Sequence, residues 1–317
     1  MRPYLAIPIT SVCNFRCPYC DENGHGEAAA SSEKFFALDY LEQVVRAAYE
    51  IGTRRFRLTG GEPFLDKRIG HIVRIICALE GVELTLDTNG SILRDAQAIL
   101  SDPPVGFSIV MSLDTLRTSR ISVMTGGRGK LTSILDSAKF LSTRGLLKRL
   151  NMTLTVFNAD EVDDVISVCK ELGTNLKLSD VAVRTAQGMP FDIISYPVGP
   201  LYERLLKTAD RVIEHPYSDQ YGSPMKTCVF GDTKVTLKTR DAGARYALDE
   251  VCGKCQHFPC DEGLYFVSAL PDKTFSACQM NGFRRKADAD INATLSHMFE
   301  VVSRAKHIPI SQGTNND

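Results

Sequence analysis

The stretch Tyr4-Leu5-Ala6-Ile7-Pro8-Ile9-Thr10-Ser11-Val12-Cys13-Asn14-Phe15-Arg16-Cys17-Pro18-Tyr19-Cys20 decides how this chain is read. Residues 4–10 are mostly apolar and β-branched, which predicts a buried strand. Three thiols follow on the loop after it, in the pattern Cys13-x-x-x-Cys17-x-x-Cys20. Thiolates hold soft metals and iron–sulfur clusters. Three so spaced can each bind one iron of a cubane [4Fe–4S] cluster, and the next cysteine along the chain is only Cys77. One iron is then left open to a small molecule. A zinc site with a remote fourth ligand, for which His25 is a candidate, is the alternative that spacing alone leaves standing.

The remaining cysteines of the ten divide by context. Cys252, Cys255, Cys260 and Cys278 form a second group near the C-terminus. Cys77 and Cys169 sit in apolar helical runs, where a thiol behaves as a small hydrophobe. Cys228 stands alone and is assigned to neither class. The chain opens Met1-Arg2-Pro3-Tyr4 without the apolar core of a secretion signal, so a cytoplasmic location is expected. Clustered thiols in a reducing compartment point to metal rather than to disulfides.

The 317 residues, 44% hydrophobic and 24% charged, can bury a sizeable core. A net charge of −1 gives no electrostatic case for nucleic acid as a partner. No run is long and apolar enough to cross a bilayer, so no membrane partner is expected either.

Strands are predicted at 4–10, 55–58, 83–87, 107–112, 149–157 and 176–179. Helical patterns lie between them, near 39–50, 70–79, 95–100, 131–144 and 161–172. The last of these is expected to use Asn158 or Asp160 as its N-cap. Such alternation implies right-handed βαβ crossovers and a parallel sheet. The expected fold is α/β, an open, partial (β/α)6 barrel with ligands at the C-terminal ends of its strands. A helix near 201–214 leads into a cysteine-rich region, about 225–283, with short strands at 235–239 and 264–269. A final helix is predicted at 293–306, and 311–317 is a polar tail. The division expected is a barrel over 1–215 and a metal-bound C-terminal module over 216–317.

The stretch Thr10–Cys20 closely resembles the signature of radical S-adenosylmethionine (SAM) enzymes, and further matches follow in order. Arg57-Leu58-Thr59-Gly60-Gly61-Glu62-Pro63 follows the second predicted strand, Asp87-Thr88-Asn89-Gly90 the third and Ser112-Leu113-Asp114-Thr115 the fourth. Asn151, Asn158 and Glu161 also match the cyclic pyranopterin synthase (GTP cyclase) branch of that superfamily. The resemblance covers about residues 4–180. It implies that Cys13, Cys17 and Cys20 hold a SAM-binding [4Fe–4S] cluster. Gly60 and Gly61 are then expected to bring backbone close to SAM, and Glu62 to accept its ammonium. Ser112 and Asp114 would serve the ribose and methionine end, Thr88 and Asn89 would line the same cavity, and Tyr19 would lie beside adenine. No general acid, base or nucleophile is assigned.

The activity so implied is reductive cleavage of SAM to a 5′-deoxyadenosyl radical, which takes a hydrogen from a small-molecule substrate such as a nucleotide or nucleoside. An external electron donor, flavodoxin or ferredoxin, is implied with it. Cys252, Cys255, Cys260 and Cys278 resemble the auxiliary-cluster modules of several radical SAM branches, which suggests a second iron–sulfur cluster. Their spacing also fits structural zinc. Two features separate the chain from a true GTP cyclase: four cysteines stand where that branch has three, and the tail lacks its glycine–arginine ending. A peptide-modifying radical SAM enzyme with an auxiliary cluster is the alternative reading.

Overall fold

The computed structural model describes residues 4–20, 35–93, 97–181, 189–214, 226–238, 245–255, 263–278, 283–287 and 290–308. His25, Cys260 and the tail 311–317 lie outside the described residues.

Six strands follow the expected order: β1 (Tyr4–Thr10), β2 (Arg55–Gly60), β3 (Glu83–Thr88), β4 (Phe107–Ser112), β5 (Leu147–Leu154) and β6 (Leu176–Asp180). Between them run α1 (Leu38–Glu50), α2 (Ile69–Cys77), α3 (Gln97–Ser101), α4 (Thr118–Thr125), α5 (Leu131–Thr143) and α6 (Val162–Glu171). Each strand pairs in parallel with the next. Side chains alternate between the two faces of a strand. Leu5, Ile7 and Ile9 on β1, Leu84 and Leu86 on β3, and Leu176 and Leu178 on β6 are therefore buried together on the helix side. The helices answer with apolar stripes, as in α1, which buries Tyr40, Leu41, Val44, Val45 and Ala48. The opposite, inner face carries Arg57, Asp87, Ser112, Asn151 and Lys177, all partly exposed.

The sheet continues past the six expected strands on both edges, and the C-terminal part of the chain supplies both extensions. After α7 (Phe191–Ile194) and α8 (Gly199–Thr208) come β7 (Arg211–Glu214), β8 (Lys226–Phe230) and β9 (Thr233–Lys238), then β10 (Arg245–Ala247) and α9 (Asp249–Cys252). β11 (Phe266–Ala269), β12 (Thr274–Ser276), β13 (Arg284–Lys286), α10 (Ile291–Ser303) and β14 (Lys306–Ile308) complete the order. β9 pairs in parallel with β6, and β11 with β1. Eight parallel strands thus run β11-β1-β2-β3-β4-β5-β6-β9, with antiparallel strands outside each end. Among the described residues the two parallel edges do not hydrogen-bond to each other, and the barrel is open there. Lys238 Nζ at the end of β9 nevertheless reaches the Tyr265 hydroxyl just before β11, at 3.3 Å.

Three local readings change. The helix expected over 201–214 stops at Thr208, because Ala209 turns extended and the β-branched pair Val212 and Ile213 enters a strand against β8. α4 had no forecast, since Thr118-Ser119-Arg120-Ile121-Ser122 is poor in helix formers. Asn158 does not cap α6. Its Oδ1 accepts from the Thr155 amide (2.7 Å) and its Nδ2 donates to the carbonyls of Asp114 and Thr153 (2.8 Å each). It ties the end of β4 to the end of β5.

Candidate cluster and cofactor site

The loop after β1 and the loop after β2 are held together by continued backbone pairing. Gly61 N–H donates to the Thr10 carbonyl at 2.7 Å and Glu62 N–H to the Val12 carbonyl at 2.8 Å. Gly60 has φ +129, and a Cβ there would fall 2.2 Å from the Thr10 carbonyl oxygen. At Gly61 the corresponding distance, to the Val12 oxygen, is 2.1 Å. Both glycines thus lie close against the cysteine loop, where a Cβ would not fit.

Glu62 is wholly buried. Its Oε1 accepts from the Phe64 amide (3.0 Å) and the Thr88 hydroxyl (2.8 Å), and its Oε2 from the Asn89 amide (2.7 Å). Burial pushes its carboxyl up to about 7 against the pull of those donors. Glu62 does not line the cavity; it lies beneath the lining and fastens the loop after β2 to the end of β3. Asn89 completes the fastening. Its Nδ2 donates to Asn14 Oδ1 (2.8 Å), while Asn14 Nδ2 donates to Ser91 Oγ (2.8 Å). The Cys13 sulfur accepts weakly from the Phe15 amide at 3.4 Å and Asn89 Nδ2 at 3.9 Å.

Cys13, Cys17 and Cys20 open onto one cavity of about 240 Å³. Gly60, Gly61, Thr88, Asn89, Ser112 and Asp114 line it from the ends of β2, β3 and β4, and Tyr19 closes one side. The Tyr19 hydroxyl donates to Asp114 Oδ2, and Asp114 Oδ1 accepts from the Thr153 amide at 2.8 Å. Burial raises Asp114 to about 6, and burial beside that carboxylate keeps the Tyr19 phenol protonated. Arg57 and Asp87 form the floor, paired Nε to Oδ2 at 2.7 Å. Asp87 Oδ1 is buried without a hydrogen-bond partner. Neither floor residue was singled out from the sequence, although both face inward by strand alternation.

The donor set fits an iron–sulfur cluster. Burial pushes the Cys13 and Cys17 thiols up, with Glu62 near the first and Asp114 and Cys20 near the second adding to the effect. Thiols in such surroundings give up their protons only to a compensating cation, so metal binding here is coupled to proton release. Among the described residues no three His, Cys, Asp or Glu side chains converge on a single ion. Three thiols opening onto one cavity match the donor set of a cubane [4Fe–4S] cluster.

The second thiol group is arranged differently. Cys252 ends α9, its amide bonded to the Leu248 carbonyl at 2.7 Å, and Cys255 N–H closes a turn onto the Cys252 carbonyl at 3.0 Å. Both are half-buried, whereas Cys278 is buried just after β12. Cys228 is fully buried in β8 within the main core, as is Cys169 on α6, and Cys77 is half-buried on α2. The lone thiol thus joins the packing class.

The family model described as the Radical SAM superfamily matches residues 7–171, more than half of the chain. The GTP 3',8-cyclase of Peptoclostridium acidaminophilum is 32% identical over 192 residues, covering 59% of this chain and 56% of that protein. The GTP 3',8-cyclase of Mesorhizobium japonicum is 34% identical over 205 residues, covering 60% of each. The chain therefore aligns with little more than half the length of these relatives. Among solved structures, Streptococcus suis SuiB bound to S-adenosylmethionine superposes with TM-score 0.63 at 15% identity, covering 90% of this chain and 63% of that one. Native anSMEcpe with bound AdoMet superposes with TM-score 0.59 at 15% identity, covering 94% and 80%. The structural matches speak for the fold, an open α/β barrel.

Proposed function

The chain belongs to the radical SAM superfamily of enzymes, and from that premise we propose that it acts on a small anionic molecule of the nucleotide or nucleoside phosphate class. When bound, the cluster and SAM supply reductive carbon–sulfur cleavage and a 5′-deoxyadenosyl radical able to take a hydrogen atom. Cys13, Cys17 and Cys20 hold the cluster. Ser112, Asp114, Thr88, Asn89 and the backbone of Gly60 and Gly61 receive SAM, with Tyr19 against its adenine. Glu62 serves this site as a positioning residue through Asn89 and Thr88 rather than by contact. The wall of side chains keeps water from the reacting carbon.

The observation that carries the substrate class is the floor. Arg57 and Asp87 lie there, and the inner face continues into Arg149, which donates to Asn151 Oδ1 at 2.9 Å, and Lys177, paired in register with Asn151. Burial and the neighbouring Arg57 lower the Arg149 guanidinium, so this strip gains from an incoming anion. The named activity of the aligned relatives, a GTP cyclisation, supports the same class. The peptide-modifying alternative draws its support from structures that share the fold alone.

Residues 216–317 are proposed to work as an auxiliary unit, with Cys252, Cys255, Cys260 and Cys278 holding a second iron–sulfur cluster. Flavodoxin or ferredoxin is the proposed electron source. The test is anaerobic reconstitution followed by deoxyadenosine assay with panels of nucleoside phosphates and of peptides. A nucleoside phosphate should stimulate SAM cleavage, and Arg149→Ala should raise its KM roughly tenfold or more, the order expected for loss of a charged contact of ~1.4–3 kcal/mol. Stimulation by a peptide and by no nucleotide would sink the assignment.

A further inference from the structure

The cluster cavity is separated from solvent on one side by a single helix. Ile121, Met124 and Thr125 of α4 line the cavity, while Ser119, Ser122 and Val123 of the same helix are exposed. The turn after α4 lies directly on the cysteine loop. Arg16 N–H donates to the Thr125 carbonyl at 3.1 Å, and Gly126, at φ +65, sits so close that a Cβ would come within 2.5 Å of the Arg16 carbonyl oxygen. Arg16 stands between two of the cluster cysteines, Cys13 and Cys17.

The outer surface of this wall is cationic. Residues 115–135 contain Arg117, Arg120, Arg128 and Lys130 and no Asp or Glu. Arg117 and Arg120 are matched by Asp160 across the surface, and Arg120 also by Glu161. Arg16, Arg128 and Lys130 are exposed, and none of the three meets a carboxylate among the described residues. Val123, 40% exposed, adds an apolar point on the outer side of α4. In a chain of net charge −1 this is a local concentration of one sign.

We infer that the outer face of α4, with Arg16 beside its end and Arg128 and Lys130 just after it, is the docking surface for an acidic one-electron carrier protein bearing a flavin. The inference rests on the proposed reductive chemistry, which needs one external electron per SAM cleaved. Electron transfer weakens steeply with distance, and a wall one helix thick gives a short path to the thiol side of the cavity. Opposite charges steer the encounter and set its salt dependence. The donor gives up one electron to the cluster, its flavin oxidised by one electron, with no proton transferred through this surface.

The test uses the reconstituted full chain, recombinant flavodoxin as the probe, and the double variant Arg128→Glu/Lys130→Glu. Calorimetric affinity for flavodoxin and flavodoxin-driven deoxyadenosine formation should each fall about tenfold at low ionic strength, converging with wild type at high salt. Iron content and dithionite-driven cleavage should be unchanged. Unchanged flavodoxin affinity in the variant overturns the inference, as does equal binding of cationic cytochrome c or of anionic phospholipid vesicles. A parallel fall in the dithionite-driven rate overturns it too, because the segment is then structural. Absence of dithionite-driven cleavage in the wild type instead breaks the enzymatic reading, while the binding arm still judges the surface.

Discussion

The two thiol groups look alike in the sequence and differ in the folded chain. Cys13, Cys17 and Cys20 share one cavity, ringed by the ends of three parallel strands and braced by Glu62, Asn14 and Asn89. Cys252 ends a four-residue helix, Cys255 lies in the turn after it, and Cys278 is buried after β12, outside the parallel run of strands. Spacing specifies the kind of donor; the surrounding scaffold specifies what the donors can be used for. A preorganised site needs its ligands held by groups that are themselves locked.

The largest effect should come from exchanging the two groups in turn. Cys13→Ala/Cys17→Ala should remove about four irons and reduce deoxyadenosine formation to background. Cys252→Ala/Cys255→Ala should remove a similar number of irons and leave substrate-free SAM cleavage within a few-fold of wild type. Equal loss of cleavage in both variants would erase the distinction. Zinc recovered from the C-terminal thiols would leave it standing and change its chemistry.

A second measurement probes the bracing. Glu62→Ala leaves two buried amides and a hydroxyl without their acceptor, a cost of about 3 kcal/mol. The apoprotein should melt roughly 5–10 °C lower. A melting temperature within 1 °C of wild type, roughly the width of a negligible stability change, would mean that the loop relaxes around the lost carboxylate. A smaller loss, about 1 kcal/mol, is expected for Cys228→Ala, with iron content unchanged. Iron lost in that variant would place Cys228 in the ligand class.

The smallest effect is a slope. Asp114 is raised by burial from the ordinary carboxylate range to about 6. The folded apoprotein therefore holds this proton more tightly than the unfolded chain, so the contribution is full at low pH and lost as pH rises from about 4 to about 6. Asp114→Asn should flatten urea midpoints across that window. An identical slope in the variant would assign it to other carboxylates.

The strand order β1–β6 and the motif at each strand end were legible because each strand is an apolar or alternating run that a glycine or polar cluster closes. Gly60-Gly61-Glu62 is legible as a motif, and the structure adds its packing against the cysteine loop. The sequence marks a close backbone approach but not which backbone approaches, and burial of Glu62 depends on Thr88 and Asn89, which arrive from another strand. Arg57 and Asp87 each head a quoted motif, but a lone cation and a lone carboxylate, 30 residues apart, become a pair only through the β2–β3 register. β7 and β8 were missed for a similar reason. Their pairing is antiparallel and peripheral, and short edge strands carry weak periodicity. The path of 239–244 and 256–262, and with it Cys260, lies outside the described residues.

The pairing of β1 with β11 has a consequence for how this molecule comes into being. Tyr4 takes Phe266 as its partner, so β1 waits for a strand made about 260 residues after it. Until then one edge of β1 is an open row of amide and carbonyl groups, the kind of template on which nascent chains misassociate. Long-range parallel pairing is also slow to form, because loop closure must come before the contacts that reward it. A ribosome stalled near residue 215 would therefore display a sheet lacking both of its flanks, with β2 already beside the strand of the cysteine loop and its other edge still open.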